Sequence, residues 1–436
     1  MGRRVLIVSP HFPPINAPDH QRVRMSLPYF EAFGWEPWIL TVNSEAVEGT
    51  QDPLLLKTIP DRTSIVHTPA LPAPLTKRVG LGNIGWRCLP YFLQAGDRLL
   101  SNSSFDLVYF STTVFLTMGL AARWRRRFGV PYVLDFQDPW ISDYYKQAKT
   151  VQRPGGRFKY GFAQTVAKTL EPTAMRHVSQ VISVSPAYPD QLRQRYAWMS
   201  DDRFTVLPFG APEADFDRLP SLNIKQRIFD PNDGNRHWVY VGRGGHDMAF
   251  ALGALFSAIQ TLRNRDPEFW RSVRLHFVGT SYATGDRAEK TIEPVAQRCG
   301  VGDLVIEHAE RIPYFEALQT LVESDAILMI GSDDPSYTAS KLYPCILARK
   351  PIFAIFHEQS SVVSILRSCE AGQAVTFGSQ TSPQTLQAAI TPAIEDLARL
   401  PRGTVPETNW SAFAPYTARE MTRKQCAVFD RCLAPG

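Results

Sequence analysis

The sequence predicts an α/β protein built from two parallel-sheet domains. Three observations carry this. Short apolar runs alternate with amphipathic stretches along both halves of the chain, the pattern of a parallel sheet flanked by helices. The rhythm breaks once, over Pro208–Asn235, a stretch rich in Pro, Asp, Asn and Gly. The 436 residues suffice for two domains of ordinary size. The expected division is a first domain over residues 1–208, a linker over 209–235, a second domain over 236–405, and a helical tail over 406–436 that packs back toward the first domain.

In the first half, Arg4–Ser9 reads as a strand apolar on both faces. The Pro-rich loop Pro10–Asp19 follows, and His20–Phe33 places Val23, Leu27, Phe30 and Phe33 at helical spacing, closed by Gly34. Strands are expected over Trp38–Val42, Ile65–Thr68, Asp106–Phe110, Pro131–Phe136, Gln180–Val184 and Phe204–Leu207. Helices are expected over Trp86–Ser101, Val114–Phe128, Gly161–His177 and Ala187–Tyr196, with Leu71–Gly85 a long loop. The second half repeats the scheme. Its strands are His237–Val241, Arg274–Val278, Leu304–Glu307, Ala326–Ile330 and Pro351–Phe356; its helices are Met248–Arg265, Ala288–Cys299, Tyr314–Ser324 and Leu386–Leu400. The tail Trp410–Cys432 reads as helix beyond the second sheet.

Composition excludes several classes. A hydrophobic content of 44% with 20% charged residues is that of a folded, water-soluble chain. The apolar run behind Arg3 and Arg4 is too short for a secretion signal, and no run reaches transmembrane length. The expected location is the cytoplasm. Cys88, Cys299, Cys345, Cys369, Cys426 and Cys432 lack zinc-ligand or redox spacing and read as reduced, packing thiols. The net charge of +5 sits in the first half. Its sharpest cluster, Arg123, Arg125, Arg126 and Arg127, is either a solvated helix face or a contact for anionic lipid at the inner face of a membrane. No aromatic-basic stripe accompanies it, so nucleic acid is not expected as a partner. No dinucleotide fingerprint, Walker lysine, nucleophile triad or metal-binding HExxH stands in the sequence, and no metal is expected.

The chemistry-bearing motifs fall at the carboxyl ends of strands, where ligands of parallel sheets bind. Between Ala326–Ile330 and Pro351–Phe356, a polar loop leads to a helix expected to begin near Ser340, with Thr338 or Ser340 as cap. Pro344 fits its first turn. Lys341 in that turn opposes the helix dipole, which makes sense beside a bound phosphate; otherwise it is a surface lysine at an ordinary corner. Gly242, Arg243, Gly244 and Gly245 follow another strand, where glycines admit close backbone approach and a guanidinium can fork onto phosphate oxygens. Arg311 and Ile312 lie in the turn before the Tyr314 helix, where a base could rest. In the first half, Asn16, His20 and Arg22 stand around the loop after the first strand. Asp138 and Trp140 follow YVLDF. Asp138 can accept from sugar hydroxyls, act as a base, or cap a turn, and Trp140 can present a flat apolar face.

These residues, in order, resemble the GT-B fold glycosyltransferases that use nucleotide sugars, near the retaining enzymes of glycosyltransferase family 4. The resemblance rests on seven segments: Phe12–Arg22, Gly34–Val42, Asp135–Trp140, Val181–Tyr196, Val206–Gly210, Tyr240–Arg243 and Tyr337–Ile355. It implies two Rossmann-like domains facing across a cleft, and a donor on the second. Arg243, Gly244, Lys341, Leu342 and the amides after Thr338 and Ser340 would hold its diphosphate, with Arg311 and Ile312 at its base. The acceptor, a glycan or lipid-linked sugar, would lie near Asn16, His20, Arg22, Asp138 and Trp140. Asp138, Arg243 and Lys341 are the implied catalytic groups, with no cofactor beyond the donor. Such enzymes build surface polysaccharides and glycolipids. The sequence departs from the family in several places. Ser336 and Pro344 stand at the two glutamate positions of E-x7-E, Arg349 at a glycine, and Gln137 at a histidine. No lysine follows Arg243 closely. A non-catalytic nucleotide-sugar binder is the alternative, and a nucleotide-sugar epimerase a third.

Overall fold

The computed structural model describes residues 2–78, 80–141, 156–281, 283, 288–333 and 340–433. Contacts divide it into two compact units. The first combines residues up to Gly210 with those from Ala418 onward, and the second is Ala211–Thr417.

The first unit is a seven-stranded sheet in the order β3-β2-β1-β4-β5-β6-β7. The strands are β1 (Arg3–Val8), β2 (Trp35–Val42), β3 (Ser64–Thr68), β4 (Leu107–Ser111), β5 (Tyr132–Phe136), β6 (Gln180–Ser183) and β7 (Phe204–Val206). Every pairing is parallel. Around them lie α1 (Gln21–Ser26), α2 (Ala73–Arg78), α3 (Ile84–Asn102), α4 (Gly119–Phe128), α5 (Gly156–Arg176) and α6 (Ala187–Arg195). Alternation along β1 splits its core. Leu6 and Val8 join Cys88, Phe92 and Trp124 on one face, while Val5 and Ile7 join Phe30, Trp35 and Phe429 on the other. Gly96 in α3 is required by Trp124, since a Cβ there would overlap the indole.

The second unit is a six-stranded parallel sheet in the order β10-β9-β8-β11-β12-β13. Its strands are β8 (Arg236–Val241), β9 (Val273–Val278), β10 (Val305–His308), β11 (Ala326–Ile330), β12 (Ile352–His357) and β13 (Gln373–Phe377). Its helices are α7 (Glu213–Leu222), α8 (Ala249–Arg265), α9 (Pro267–Arg271), α10 (Glu293–Arg298), α11 (Tyr314–Glu323), α12 (Leu342–Leu347), α13 (Ser361–Ser368), α14 (Pro383–Arg399) and α15 (Trp410–Phe413). Trp238, Tyr240, Leu252, Phe256 and Phe277 fill one side of this sheet; Ile327, Met329, Ile346 and Phe356 fill the other.

Several elements differ from expectation. Of the segment expected as a linker over 209–235, Phe209 and Gly210 stay with the first unit and 211–235 are folded onto the second rather than strung out. Asp215 of α7 accepts from the Tyr314 hydroxyl at 2.7 Å, and Glu316 takes the Arg227 guanidinium at 2.9 Å. The tail is not one helix. Residues through Thr417 stay with the second unit, and α16 (Ala418–Arg431) returns to the first, where the Phe429 ring packs against Phe30, Trp35 and Tyr109. The helix expected over His20–Phe33 stops at Ser26, because Pro28 lacks the N–H that would continue it. The helix expected from Ala288 starts at Glu293, fixed there by a carboxylate. Glu307, 2% exposed, accepts from the amides of Thr291, Ile292 and Glu293 at 3.1, 2.9 and 2.9 Å. α2 interrupts the loop expected over Leu71–Gly85, and α13 and β13 form where no element was expected.

Candidate functional site

In the second unit, the turn after β8 is built on backbone. The Gly242 amide donates to the Val278 carbonyl at 2.9 Å, and Gly244 to Thr280 at 2.8 Å. Both extend the β8–β9 ladder past the strand ends. Gly242 has φ +143°, open to glycine alone, and a Cβ there would stand 3.0 Å from Lys341 Cδ. The turn therefore leaves a slot that the lysine fills. Lys341 Nζ donates to the Tyr240 hydroxyl and lies 3.9 Å from the ring centre. That hydroxyl in turn donates to the Arg243 carbonyl at 2.6 Å. Burial pushes the Lys341 ammonium down to about 7, helped by the Arg243 charge and opposed by Cys345 and Asp247. Arg243 forks onto Asp247, with Nη1–Oδ1 at 3.0 Å and Nη2–Oδ2 at 2.6 Å. The hydrogen bond from Arg243 first, and one from Ser332, hold that carboxyl below its ordinary range despite partial burial.

The structure thus brings Arg243 and Lys341 together at the carboxyl edge of the second sheet. Arg311 and Ile312 lie in the turn between β10 and α11, exposed and half-buried. A Cβ at Gly279, just past β9, would stand 3.8 Å from Arg311 Cα, so this turn covers the end of β9. Ser340 is an exposed turn residue, and Thr338 and Ser336 lie outside the described residues. The helix begins at Leu342 rather than Ser340, with Lys341 at its cap and Pro344 as its third residue. Leu342 offers no side chain to a ligand, because it is 1% exposed within the core beside β11 and β12. The partners of the two cations, Tyr240 and Asp247, were missed. Tyr240 reads from sequence as strand interior, but Asp247 stands four residues after Arg243, a spacing that itself signals an ion pair.

In the first unit the expected acceptor residues divide. Arg22 and Asp135 are both fully buried and paired at 2.8 Å. Arg22 also donates to the Leu207 carbonyl at 2.6 Å and lies over the Phe209 ring. Tyr109, Ser111 and Gln137 donate to the same Asp135 oxygen at 3.0, 2.8 and 3.1 Å. Arg22 is therefore a clamp inside the fold, not a ligand-facing group. His20 is likewise buried, with Nε2 2.7 Å from the Ile15 carbonyl. Burial, then the charge of Arg24, push it down to about 4, so its ring is neutral. Trp140 is a core residue: it is buried and stacks on Phe115 at 5.6 Å. Asn16 is half-buried, with its amide on the Thr50 carbonyl at 2.8 Å. Asp138 alone is open, and partial desolvation with the neighbouring charge of Asp19 raises its pKa.

One pair here was not foreseen. His11 Nδ1 sits 3.0 Å from both oxygens of Asp19. Asp19 is buried yet ionised. Burial opposes the charge, but the hydrogen bond and charge of His11 and the Thr113 amide outweigh it. Thr112 adds a further hydroxyl at 3.0 Å. This arrangement fixes the imidazole through Nδ1. Asn16, His11 and Asp138 are thus among the polar residues of this region that are exposed or half-buried. The four arginines of α4 are also partly engaged: Arg123 and Arg127 share Asp97, and Arg125 donates to the Gly129 carbonyl. Among the described residues no helix is long and apolar enough to cross a membrane.

Residues 20–210 match the family model of the glycosyl transferase 4-like domain. No curated protein matches the sequence. Solved structures similar to the chain along its whole length include a glycosyltransferase from Rickettsia africae ESF-5, at 12% identity with 100% of each chain covered and a TM-score of 0.57. Anabaena Alr3699/HepE in complex with UDP and glucose aligns at 14% identity over 99% of this chain and 100% of its own, with a TM-score of 0.58. The N-terminal domain of Candida albicans trehalose-6-phosphate phosphatase aligns at 12% identity over 99% and 97%, with a TM-score of 0.62. Residues 20–210 thus match a glycosyl transferase 4-like domain, and the chain as a whole has the GT-B glycosyltransferase fold.

Proposed function

We propose that the chain transfers a sugar, with retention, from a nucleoside-diphosphate sugar to a glycan or lipid-linked acceptor in surface polysaccharide or glycolipid synthesis. One observation carries the reading: Arg243 and Lys341 converge on the turn after β8. Two cations there suit a diphosphate, and they would stabilise the charge that develops as it leaves. The UDP and glucose held by the Anabaena protein support a nucleotide-sugar donor. Arg311 and Ile312 would border the base, while Gly244 and the amides from Thr338 to Leu342 would approach the phosphates. Asn16, Asp138 and, in addition, His11 would meet the acceptor. Arg22, His20 and Trp140 would hold that region in shape from inside. The clustered positive charge makes a metal or other cofactor unnecessary in this scheme.

The alternative is a nucleotide-sugar binder without turnover. Ser336 and Pro344, where the family carries glutamates, favour it. Incubation with labelled UDP-, GDP- and ADP-sugars separates the readings. Transfer to an added glycan or slow hydrolysis of one donor supports the enzyme. Saturable binding with no product supports the binder, and interconversion of the free donor's sugar supports an epimerase. For the lipid-linked acceptor, Arg123, Arg125, Arg126 and Arg127 would bring the cytoplasmic protein to an anionic leaflet. Co-sedimentation with phosphatidylglycerol vesicles, lost when Arg125 and Arg126 become Glu, is the check.

A further inference from the structure

We infer that Asp247 is a resident competitor for the ligand's phosphates, its carboxylate occupying the fork of Arg243 that a diphosphate would otherwise take. The inference rests on the donor reading above and adds a residue that tunes the same site. A carboxylate and a phosphate both present two oxygens to a guanidinium, so one fork cannot serve both in full. Here both Nη atoms are directed at Asp247, at 3.0 and 2.6 Å. The chain is shaped for this pairing. A Cβ at Gly245 would overlap Asp247 Oδ1 and stand 2.9 Å from Arg243 Nη1, so glycine is needed for the carboxylate to fold back. The room that a glycine turn could offer a ligand is filled by the protein's own anion. Asp247 is also anchored from the segment that follows β11: its carbonyl accepts from the Asp333 amide at 3.0 Å, and Ser332 donates to its side chain.

The pair is 29% and 31% exposed, within reach of solvent and exchangeable. An exposed pair of this kind contributes little on its own. A ligand that reaches both Arg243 and Lys341 can displace the carboxylate, while one that reaches Arg243 alone gains little over it. When such a ligand departs, Asp247 takes the fork back.

The test is calorimetric titration of the full chain with inorganic pyrophosphate and with UDP, GDP and ADP. The wild type is compared with Asp247→Asn, and with Asp247→Ser should the first variant not fold. The expected result is tighter binding of pyrophosphate and of the preferred nucleotide to the variant, by about fivefold, or ~0.9 kcal/mol. Unchanged or weaker binding, with a native melting temperature, overturns the inference; Asp247 then merely holds Arg243 in place. If a nucleotide binds the wild type and the variant weakens it, the donor reading stands and the competitor falls. If pyrophosphate tightens but no nucleoside adds affinity, the competitor stands and the donor reading falls. If neither protein binds pyrophosphate or any nucleotide, both fall.

Discussion

Two arginine–aspartate pairs of nearly equal length occupy strand ends in the two units. Arg22 and Asp135 meet at 2.8 Å with neither exposed; Arg243 and Asp247 meet at 2.6 Å with about a third of each in solvent. The first pair joins residues 113 apart, and three further side chains donate to its aspartate. The second is local, its residues four positions apart, beside an ammonium. The same two functional groups thus serve opposite ends. Burial away from solvent makes one pair a fixed brace, because either charge left alone inside would be severely unfavourable. Solvent access makes the other a contact that a ligand can trade places with.

The largest effect should follow from breaking the brace. Arg22→Ala leaves Asp135 buried without its cation, so the first unit should lose about 3–5 kcal/mol of stability. Urea denaturation followed by tryptophan fluorescence would show it, and a loss below ~1 kcal/mol would remove Arg22 from this role. The exposed pair should behave in reverse. Arg243→Ala should change stability by no more than about 1 kcal/mol, yet weaken binding of a nucleoside diphosphate about ten- to hundredfold, as expected for a charge-assisted hydrogen bond of ~1.5–3 kcal/mol. A large stability loss with unchanged affinity would reverse the assignment of the two pairs.

A pH series sharpens the contrast further. Lys341 in the free protein loses its proton near 7, whereas a bound diphosphate favours the ammonium. Affinity should therefore fall as pH rises above 7, by up to about tenfold per unit. Lys341→Arg stays charged and should flatten that slope, which also separates the lysine's titration from the ligand's own. Equal slopes in both proteins would remove Lys341 from the phosphate contacts. For stability the same shift has the opposite sense. The unfolded lysine holds its proton up to about 10.5, so this group makes folding less favourable as pH drops from 10.5 to 7.

The smallest effect concerns a histidine row away from both pairs. His276 faces His237 at 3.0 Å and stacks on His308. Burial, then the charges of His237 and His308, push it down to about 3. Asp233 opposes this shift, and Arg274 adds to it. The unfolded imidazole takes its proton near 6.5, so stability of the second unit should be lost as pH falls from 6.5 toward 3. His276→Gln, which cannot titrate, should lessen that acid sensitivity in melting curves between pH 7 and 4. An unchanged pH dependence would mean that other groups govern it.

Most strands were legible because they are apolar along most of their length and flanked by loop residues. Ala326–Ile330 was read to the residue, and β5 and β8 within one. Helix ends were less so, since Pro28 and the Glu307 cap fix them through chemistry a periodic pattern does not carry. β13 was hidden because QAVTF is short and only half-buried. At the site, Arg243 and Lys341 could be read from their places after strands. Their partners could not all be read. Tyr240 receives Lys341 from 101 positions away, and Asp135 receives Arg22 from 113, separations at which no local spacing records who meets whom. Trp140 and His20 looked like binding groups because a loop sequence does not disclose that its side chains point inward.

The return of α16 has a consequence for how the protein is made. Phe429, with no exposure, closes a core that also contains Val5, Ile7 and Trp35 from the opposite end of the sequence. During synthesis the first unit must therefore wait, with an apolar face uncovered, while the intervening 211–417 emerge and fold. A chain stopped before Ala418 would carry a finished second unit joined to an unfinished first one, prone to associate through the bare surface of Phe30, Trp35 and Tyr109.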